Sequence, residues 1–397
     1  MELRELADAL GVSTYPEALE EVYKELGEDD GAVCNLASLR QLHETYAPFG
    51  EYYELVVKGA EEMKKRDALY LWLRLGYAYC KDVTSFEARR MPIPPSDGSA
   101  AGDMFAVLLL AAELPLAVER YRARGFDEEQ IANNLGNLAR NIWVHQITVG
   151  SLTLSQGLYG WMTHYTKAII FDHKGLNYQP AVWEPDSLVL KNRKSGEFVI
   201  VMIKGRFHRD GLVLGSAGAT DEEGAFNADF SEQMEAFFGR PVRNGRVQNR
   251  VCCFDKKEWY AVLRPGDDVL NLHIPRKTNF DPAVVEESLR EGWELTKRYY
   301  PELSIKAFKC CSWMLDPSVA RILGENSKIG SFSARFTVKH PVMDAAGTGC
   351  MGYVWPGETC PTEELPEKTT LQRGIKALML AGDTLRWTTG VITKDLG

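Results

Sequence analysis

Several motifs of catalysis and metal binding are missing from this sequence. It has no C-x-x-C, H-E-x-x-H or EF-hand pattern, no G-x-S-x-G elbow and no Walker loop, so we expect no metal site and no chemistry of those classes. It also lacks a long hydrophobic run, since residues 104–112, the longest one, are too few to cross a bilayer. Its first residues do not resemble a signal peptide.

Positive charge is scarce as well. Lysine and arginine total 46 against 55 aspartate and glutamate residues, which gives a net charge of -9. This balance predicts that neither nucleic acid nor a membrane is the main partner. The eight cysteines include the adjacent pairs Cys252-Cys253 and Cys310-Cys311, which do not suggest simple disulfides because neighbouring strand residues face opposite ways. We therefore expect a cytoplasmic protein.

The length and the hydrophobic pattern predict two domains. Up to about residue 165 the pattern is helical, as where Ile131, Leu135, Leu138 and Ile142 share one face, and about six helices fit there. Near Lys167 the pattern changes to short apolar runs separated by turns. We predict an α+β protein, with an all-helical domain over residues 1–165 and a mixed-sheet α/β domain over residues 166–397.

The second domain is predicted to start as an antiparallel meander and to continue as a β-α-β unit. A hairpin is expected in AIIFDHKGLNY. The later elements are expected as strands at residues 187–190, 198–203, 212–214, 251–254, 259–262, 269–274, 305–311 and 332–338, and as helices at residues 281–299, 316–323 and 370–380. A strand, a crossover helix and a second strand imply that the two strands are parallel neighbours.

A basic loop links the strand at 269–274 to the helix that follows. Asp281 and Pro282 have the residue types of an N-cap and a first helical position. The helix N-terminus, together with Arg276 and Lys277, would favour an anion such as a pyrophosphate. The alternative is that both basic residues are solvated turn residues and Asp281 an ordinary cap.

The ends of the two predicted parallel strands contain the candidate catalytic residues. His273 lies near the carboxyl end of its strand, where it could act as a base that deprotonates an amine. Cys311 and Ser312 lie at the end of the neighbouring strand and could supply a nucleophile or a general acid. The alternative is that His273 only fixes a loop and that the cysteines fill core volume.

The motifs VLNLHIP, FDPAVVEESL, YYPELSIKAFKCCSWMLDP, IGSFSARF and LPEKTTLQRGIKALMLAG carry a family resemblance. They resemble the bacterial acyltransferase-like family that joins a helical N-acyltransferase N-terminal domain to a GNAT-like C-terminal domain. The resemblance spans most of the chain and is strongest from Val269 to Phe336.

This resemblance implies that acyl-CoA or acetyl-CoA is a co-substrate. The CoA would lie along Ile274, Pro275, Arg276, Lys277, Thr278 and Asn279, with its pantetheine arm between the strands that end at Pro275 and Cys311. Two functions stay open. One is transfer of an acyl group to an amine of a small molecule or peptide. The other is a catalytically silent GNAT-fold protein that binds a ligand or partner, which the absence of glycine from HIPRKTNFDP favours. The sequence does not indicate the oligomeric state.

Overall fold

The chain divides into two compact units. The computed structural model describes residues 2–82, 91–183, 186–336 and 338–393. One unit comprises residues 1–172 and the other residues 173–397, so the division falls a few residues beyond the expected boundary at 165/166.

Apart from the start of a strand at its end, the regular elements of the first unit are helices in the residues that are described. Its helices are α1 (Leu3–Ala9), α2 (Ala18–Lys24), α3 (Leu36–Tyr46), α4 (Tyr53–Met63), α5 (Asp67–Cys80), α6 (Ala100–Asp103), α7 (Phe105–Ala123), α8 (Glu128–Leu135), α9 (Asn137–Val149) and α10 (Gln156–Thr166). The expected number was about six, which was too low because helices as short as α1, α2 and α6 contain too few turns for a clear period. Of the described helices in the chain, none is long and apolar enough to cross a membrane.

The second unit combines a meander with a β-α-β unit. Its strands are β1 (Phe171–His173), which contains the boundary between the units, β2 (Leu176–Val182), β3 (Ser187–Asn192), β4 (Phe198–Met202), β5 (Arg206–Phe207), β6 (Phe226–Asn227), β7 (Ser231–Glu232), β8 (Ala236–Arg243), β9 (Arg246–Val247), β10 (Cys252–Asp255), β11 (Trp259–Leu263), β12 (Asp268–His273), β13 (Ala307–Ser312), β14 (Val338–Pro341) and β15 (Thr388–Thr393). Its helices are α11 (Pro282–Tyr299), α12 (Pro317–Leu323), α13 (Lys328–Ala334), α14 (Met351–Val354) and α15 (Thr370–Leu380).

Two large sheets form this unit. A six-stranded sheet has the order β1-β2-β12-β13-β15-β14, and a seven-stranded sheet follows the path β10-β8-β4-β3-β11, with β7 and β9 also paired to β8. Strands β12 and β13 are parallel, as predicted. Strand β12 is antiparallel to β2, and β13 is antiparallel to β15. The predicted α+β class is confirmed.

The six-stranded sheet is covered on both faces. On one face, Trp293 of α11 packs edge-on against Phe308 with ring centroids 5.1 Å apart. The Tyr178 hydroxyl on β2 lies 2.7 Å from the Ser288 hydroxyl of the same helix. On the other face, Val269 and Ala307 belong to a buried apolar cluster that also includes residues of the seven-stranded sheet. The two faces therefore have different surroundings.

Two predicted strands were wrong, and several strands were missed, namely β8, β15 and the two-residue strands β5, β6, β7 and β9. Residues 212–214 form only an isolated bridge between Val213 and Phe207. Residues 328–334 form α13 where a strand was expected from residue 332, because the Ser327 hydroxyl accepts a hydrogen bond from the Gly330 N–H and caps a helix. Of the missed strands, β8 contains a glycine and a proline, which usually indicate a break.

Gly292 sets how closely α11 approaches the sheet. A methyl group added there would lie 2.4 Å from the nearest ring atom of Tyr178. We expect Gly292→Ala to destabilise the protein by about 1 to 3 kcal/mol, because overpacking outweighs the gain in helix propensity. Urea unfolding measures this. Gly157→Ala on α10 is the matched control, since no atom lies within 4 Å of its added methyl group, and equal stability of the two variants would contradict the close approach.

Candidate functional site

Strands β12 and β13 pair over a short distance and then separate. Their ladder contains only Leu270 with Phe308 and Asn271 with Lys309, although β12 continues to His273 and β13 to Ser312. Each strand keeps its other neighbour to its end, because β2 pairs with β12 up to His273 and β15 pairs with β13 up to Ser312. Beyond the ladder, the facing backbone edges of β12 and β13 are therefore not paired with each other, an arrangement that would suit a ligand that carries amide groups.

The basic loop begins with a tight turn after β12. The Thr278 N–H donates to the Pro275 carbonyl at 3.2 Å, and Lys277 has φ of 70°, a conformation that favours glycine. The Thr278 hydroxyl is placed 2.9 Å from the Gly175 carbonyl and 2.7 Å from the Pro275 carbonyl. The loop is thus fixed to its own first residue and to the β1–β2 turn.

The N-terminus of α11 is capped by the carboxylate of the residue before it, Asp281. The Asp281 side chain accepts a hydrogen bond from the Ala283 N–H at 3.2 Å, and the Asn279 side chain accepts one from the Asp281 N–H at 3.0 Å. The Lys328 ammonium lies 3.7 Å from the Asp281 carboxylate. An anion at this end of α11 would meet the Asp281 charge, so its attraction would have to come mainly from basic side chains.

Strand pairing determines which candidate residues share a face. Paired strand residues point to the same side, and residues two apart do so as well. Because Asn271 pairs with Lys309, His273 and Cys311 lie on one face of the sheet. Ser312 lies on the opposite face. The register therefore places His273 and Cys311 on the same face and Ser312 on the other.

His273 is held by a side chain from β2. Its Nε2 atom lies 2.8 Å from Oε1 of Gln179, which is buried. When Gln179 accepts this hydrogen bond, Nε2 carries the hydrogen of the neutral imidazole, and the lone pair lies on Nδ1. His273 is half-buried, so the ring is fixed in orientation near the point where the strands separate.

The two candidates on β13 differ in their surroundings. Cys311 is exposed, yet neighbouring protein atoms desolvate its thiol and raise the pKa, which a hydrogen bond with Thr389 partly opposes. A raised pKa keeps the thiol protonated at neutral pH and makes it a poor nucleophile. The Ser312 hydroxyl is buried and accepts a hydrogen bond from the Met314 N–H at 3.2 Å, so it caps the 3₁₀ turn after β13.

Sequence reasoning missed Lys309 and His340 on this face. Lys309 is half-buried beside Asn271. His340 of β14 pairs with Thr389 of β15, which in turn pairs with Cys311. Alternation from Cys311 would have identified Lys309, whereas His340 could not be assigned without the strand order. We call Gln179, Asn271, His273, Lys309, Cys311, Thr389 and His340 the polar face.

His340 is kept neutral by its surroundings. It is 4% exposed, and its Nδ1 atom lies 2.9 Å from the Pro341 carbonyl. Burial lowers the pKa of His340 to about 4, and the positive charge of Lys309 acts in the same direction. Across the described residues, no group of three or more histidine, cysteine or acidic side chains is arranged to hold a metal ion.

Comparison with known protein families identifies both halves of the chain. Residues 1–168 match the N-acyltransferase N-terminal domain, and residues 222–392 match the GNAT-like C-terminal domain. The chain belongs to the family that joins these two domains. The family resemblance seen in the sequence is therefore confirmed, and the six-stranded sheet with its separating parallel strands lies mostly in the GNAT-like part.

Solved acyltransferase structures have a similar fold. One in complex with decanoyl-CoA and teicoplanin superposes with a TM-score of 0.68 at 20% sequence identity. Another in complex with decanoyl-CoA has a TM-score of 0.66 at 19% identity, and a mutant acyltransferase in complex with octanoyl-CoA has 0.67 at 19%. In all three comparisons the match covers 99% of each chain. No curated protein matches this chain.

The neutral state of His340 predicts a pH-dependent stability. In the unfolded chain a histidine binds a proton near pH 6.5, but in the fold His340 resists protonation down to about pH 4. The unfolded state therefore binds more protons between these values, and stability falls as the pH falls through that window. Between pH 7.5 and pH 5 this residue should cost on the order of 2 kcal/mol.

The check is to compare urea unfolding of the parent protein and a His340→Gln variant at both pH values. The variant should lose less stability on acidification, by about that amount. An identical loss in the two proteins would show that His340 is not the buried neutral group described above.

Proposed function

We propose that this protein is an acyl-CoA-dependent N-acyltransferase that moves an acyl group to an amine of a small molecule or peptide. The observation that carries this proposal is the separation of β12 and β13 directly after Asn271 and Lys309. The open edges offer hydrogen-bonding groups to the amides of a pantetheine arm. The family assignment supports the same reaction class, and the related solved acyltransferases hold octanoyl-CoA or decanoyl-CoA.

The proposed CoA site follows the loop after β12. Ile274 and Pro275 would flank the pantetheine arm, and Arg276 and Lys277 would neutralise the pyrophosphate. Thr278 and Asn279 hold the loop through the hydrogen bonds described above, so they would act by shaping it. The Arg276 guanidinium lies 3.5 Å from the Gly352 carbonyl, a weak contact that a phosphate could replace.

In the proposed reaction the acceptor amine attacks the thioester carbonyl carbon. A C–N bond forms, the C–S bond breaks, and the proton leaves the nitrogen while the CoA thiolate departs. His273 would accept that proton on Nδ1, with its ring held by Gln179. Cys311 shares the face with His273 as a protonated thiol and could protonate the departing thiolate. Ser312, on the opposite face, supports the end of β13.

The alternative is a catalytically silent protein with the same fold that binds a ligand or a partner. Two observations favour it: the loop contains no glycine, and the Asp281 carboxylate occupies the N-terminus of α11. Both weaken backbone binding of a pyrophosphate. Acyl-CoA binding without turnover, or no binding at all, would support this alternative.

The loop is tested by a double variant, Arg276→Ala with Lys277→Ala. Loss of both charges should weaken decanoyl-CoA binding by about 100-fold or more, because each charge-assisted contact contributes about 1.5 kcal/mol or more. Isothermal titration calorimetry measures the affinity. Arg250→Ala with Lys257→Ala removes the same charge from exposed positions elsewhere in the second unit, and an equal loss in that control would exclude the loop.

The proposed base is tested with His273→Gln. Turnover should fall by about 100-fold or more, whereas affinity for decanoyl-CoA should change little, because a general base acts in the transition state. Thiol release in the presence of a mixed set of amines gives the rate, and calorimetry gives the affinity. Turnover within threefold of the parent enzyme would remove His273 from the mechanism.

A further inference from the structure

Lys309 lies at the last paired position before β12 and β13 separate. Its neighbours across the strands are Asn271 on β12 and Val391 on β15. Because strand residues alternate, Lys309 shares the polar face with His273 and Cys311. It is half-buried and lies where the pairing of β12 and β13 ends, within the proposed site.

Lys309 differs from the other half-buried lysines of the described chain. Each of the others has a side-chain partner: Lys81 lies over the Tyr77 ring, Lys191 over the Phe198 ring, Lys256 pairs with Glu232, and Lys339 donates to the Ser333 hydroxyl. Lys309 has no hydrogen-bond or ion-pair partner within the described residues. An ammonium group without a partner can form a charge-assisted hydrogen bond with an anionic group of a ligand.

Asp344 acts on this face through its charge but does not form an ion pair with Lys309. Asp344 is buried and raises the pKa of the Cys311 thiol by its negative charge. One of its carboxylate oxygens accepts a hydrogen bond from the Gly347 N–H at 2.8 Å. Asp344 forms no ion pair with Lys309 within 4.0 Å in the described structure, so the ammonium keeps its charge available for a ligand.

A second polar atom of the same face also lacks a partner. The Nε2 atom of His340 is buried and makes no hydrogen bond with any described residue. Since Nδ1 lies within hydrogen-bonding distance of the Pro341 carbonyl, it carries the hydrogen of the neutral ring, and Nε2 is an acceptor. The polar face thus combines a cation that has no partner among the described residues with a buried acceptor that has none, and of the two only Lys309 is exposed enough to meet a ligand.

We propose that Lys309 binds a carboxylate of the acceptor, so that the acceptor is an amino-carboxylate compound and not a neutral amine. This rests on the proposed function, since it assigns the acceptor side of the same site. Lys309 and the row of His273 and Cys311 are two residues apart along the strands, a spacing of about 6.6 Å. A dipeptide spans at most about 7 Å, a length comparable to this backbone spacing.

The test compares glycylglycine with glycylglycinamide, which differ only in the terminal carboxylate. With decanoyl-CoA as donor, kcat/KM should be at least about tenfold higher for the free acid, because one charge-assisted contact is gained. Lys309→Met should reduce this ratio to near 1, while Lys309→Arg should retain most of it. Lys257→Met, at an exposed position of the same unit, is the control and should keep the parental ratio.

A second measurement does not depend on acyl-CoA. Glycylglycine is titrated into the parent protein and into Lys309→Met by calorimetry, and binding should be lost in the variant. If this holds but decanoyl-CoA does not bind, the acyltransferase proposal fails and the carboxylate site stands. If decanoyl-CoA binds but glycylglycine is neither bound nor acylated, the carboxylate site fails. The carboxylate site also fails if Lys309→Met keeps the parental ratio of kcat/KM for glycylglycine over glycylglycinamide.

Discussion

The parallel pairing of β12 with β13, and its early end, is the constraint on which the rest of this unit depends. The two strands are joined by α11, which packs on one face of the sheet through Trp293 and is set close to it by Gly292. On the outer sides, β2 and β15 hold β12 and β13 to their last residues. The ends of β12 and β13 are therefore each held by an outer strand although they do not pair with each other.

The two faces of this sheet have different roles. One stabilises the fold, and the other carries the polar side chains of the candidate site. The face under α11 buries Leu270, Leu272, Phe308 and Cys310, so its contribution is the burial of apolar area. The opposite side of the sheet is apolar where Val269 and Ala307 join the core between the sheets. The residues of the polar face follow further along the same strands, from Asn271 and Lys309 onwards. The change occurs at the residues where the ladder ends, so the polar side chains gather where a ligand could enter.

Local signals in the sequence were sufficient for the parts of the fold that form locally. The Asp281-Pro282 cap, the β-α-β order and the helix at residues 370–380 could be read because a cap and a hydrophobic period act within a few residues. Strand β8 could not, because Pro241 and Gly239 are tolerated only through pairing with distant strands. Lys309 and His340 were missed for the same reason: their shared face follows from register, which long-range packing determines.

The loop without glycine changes how an anion could be held, and does not by itself exclude one. A glycine in such a loop supplies left-handed backbone conformations, and Lys277 already adopts one with φ of 70°, at a cost of about 1 kcal/mol or more. The backbone geometry is therefore reached without glycine. What the loop lacks is a helix N-terminus that can attract an anion, because the Asp281 carboxylate already caps α11. In the proposed acyltransferase, pyrophosphate binding would then depend on Arg276 and Lys277, and affinity for CoA should decrease steeply with ionic strength, since side-chain charges near the surface are screened within about 10 Å at 0.1 M salt.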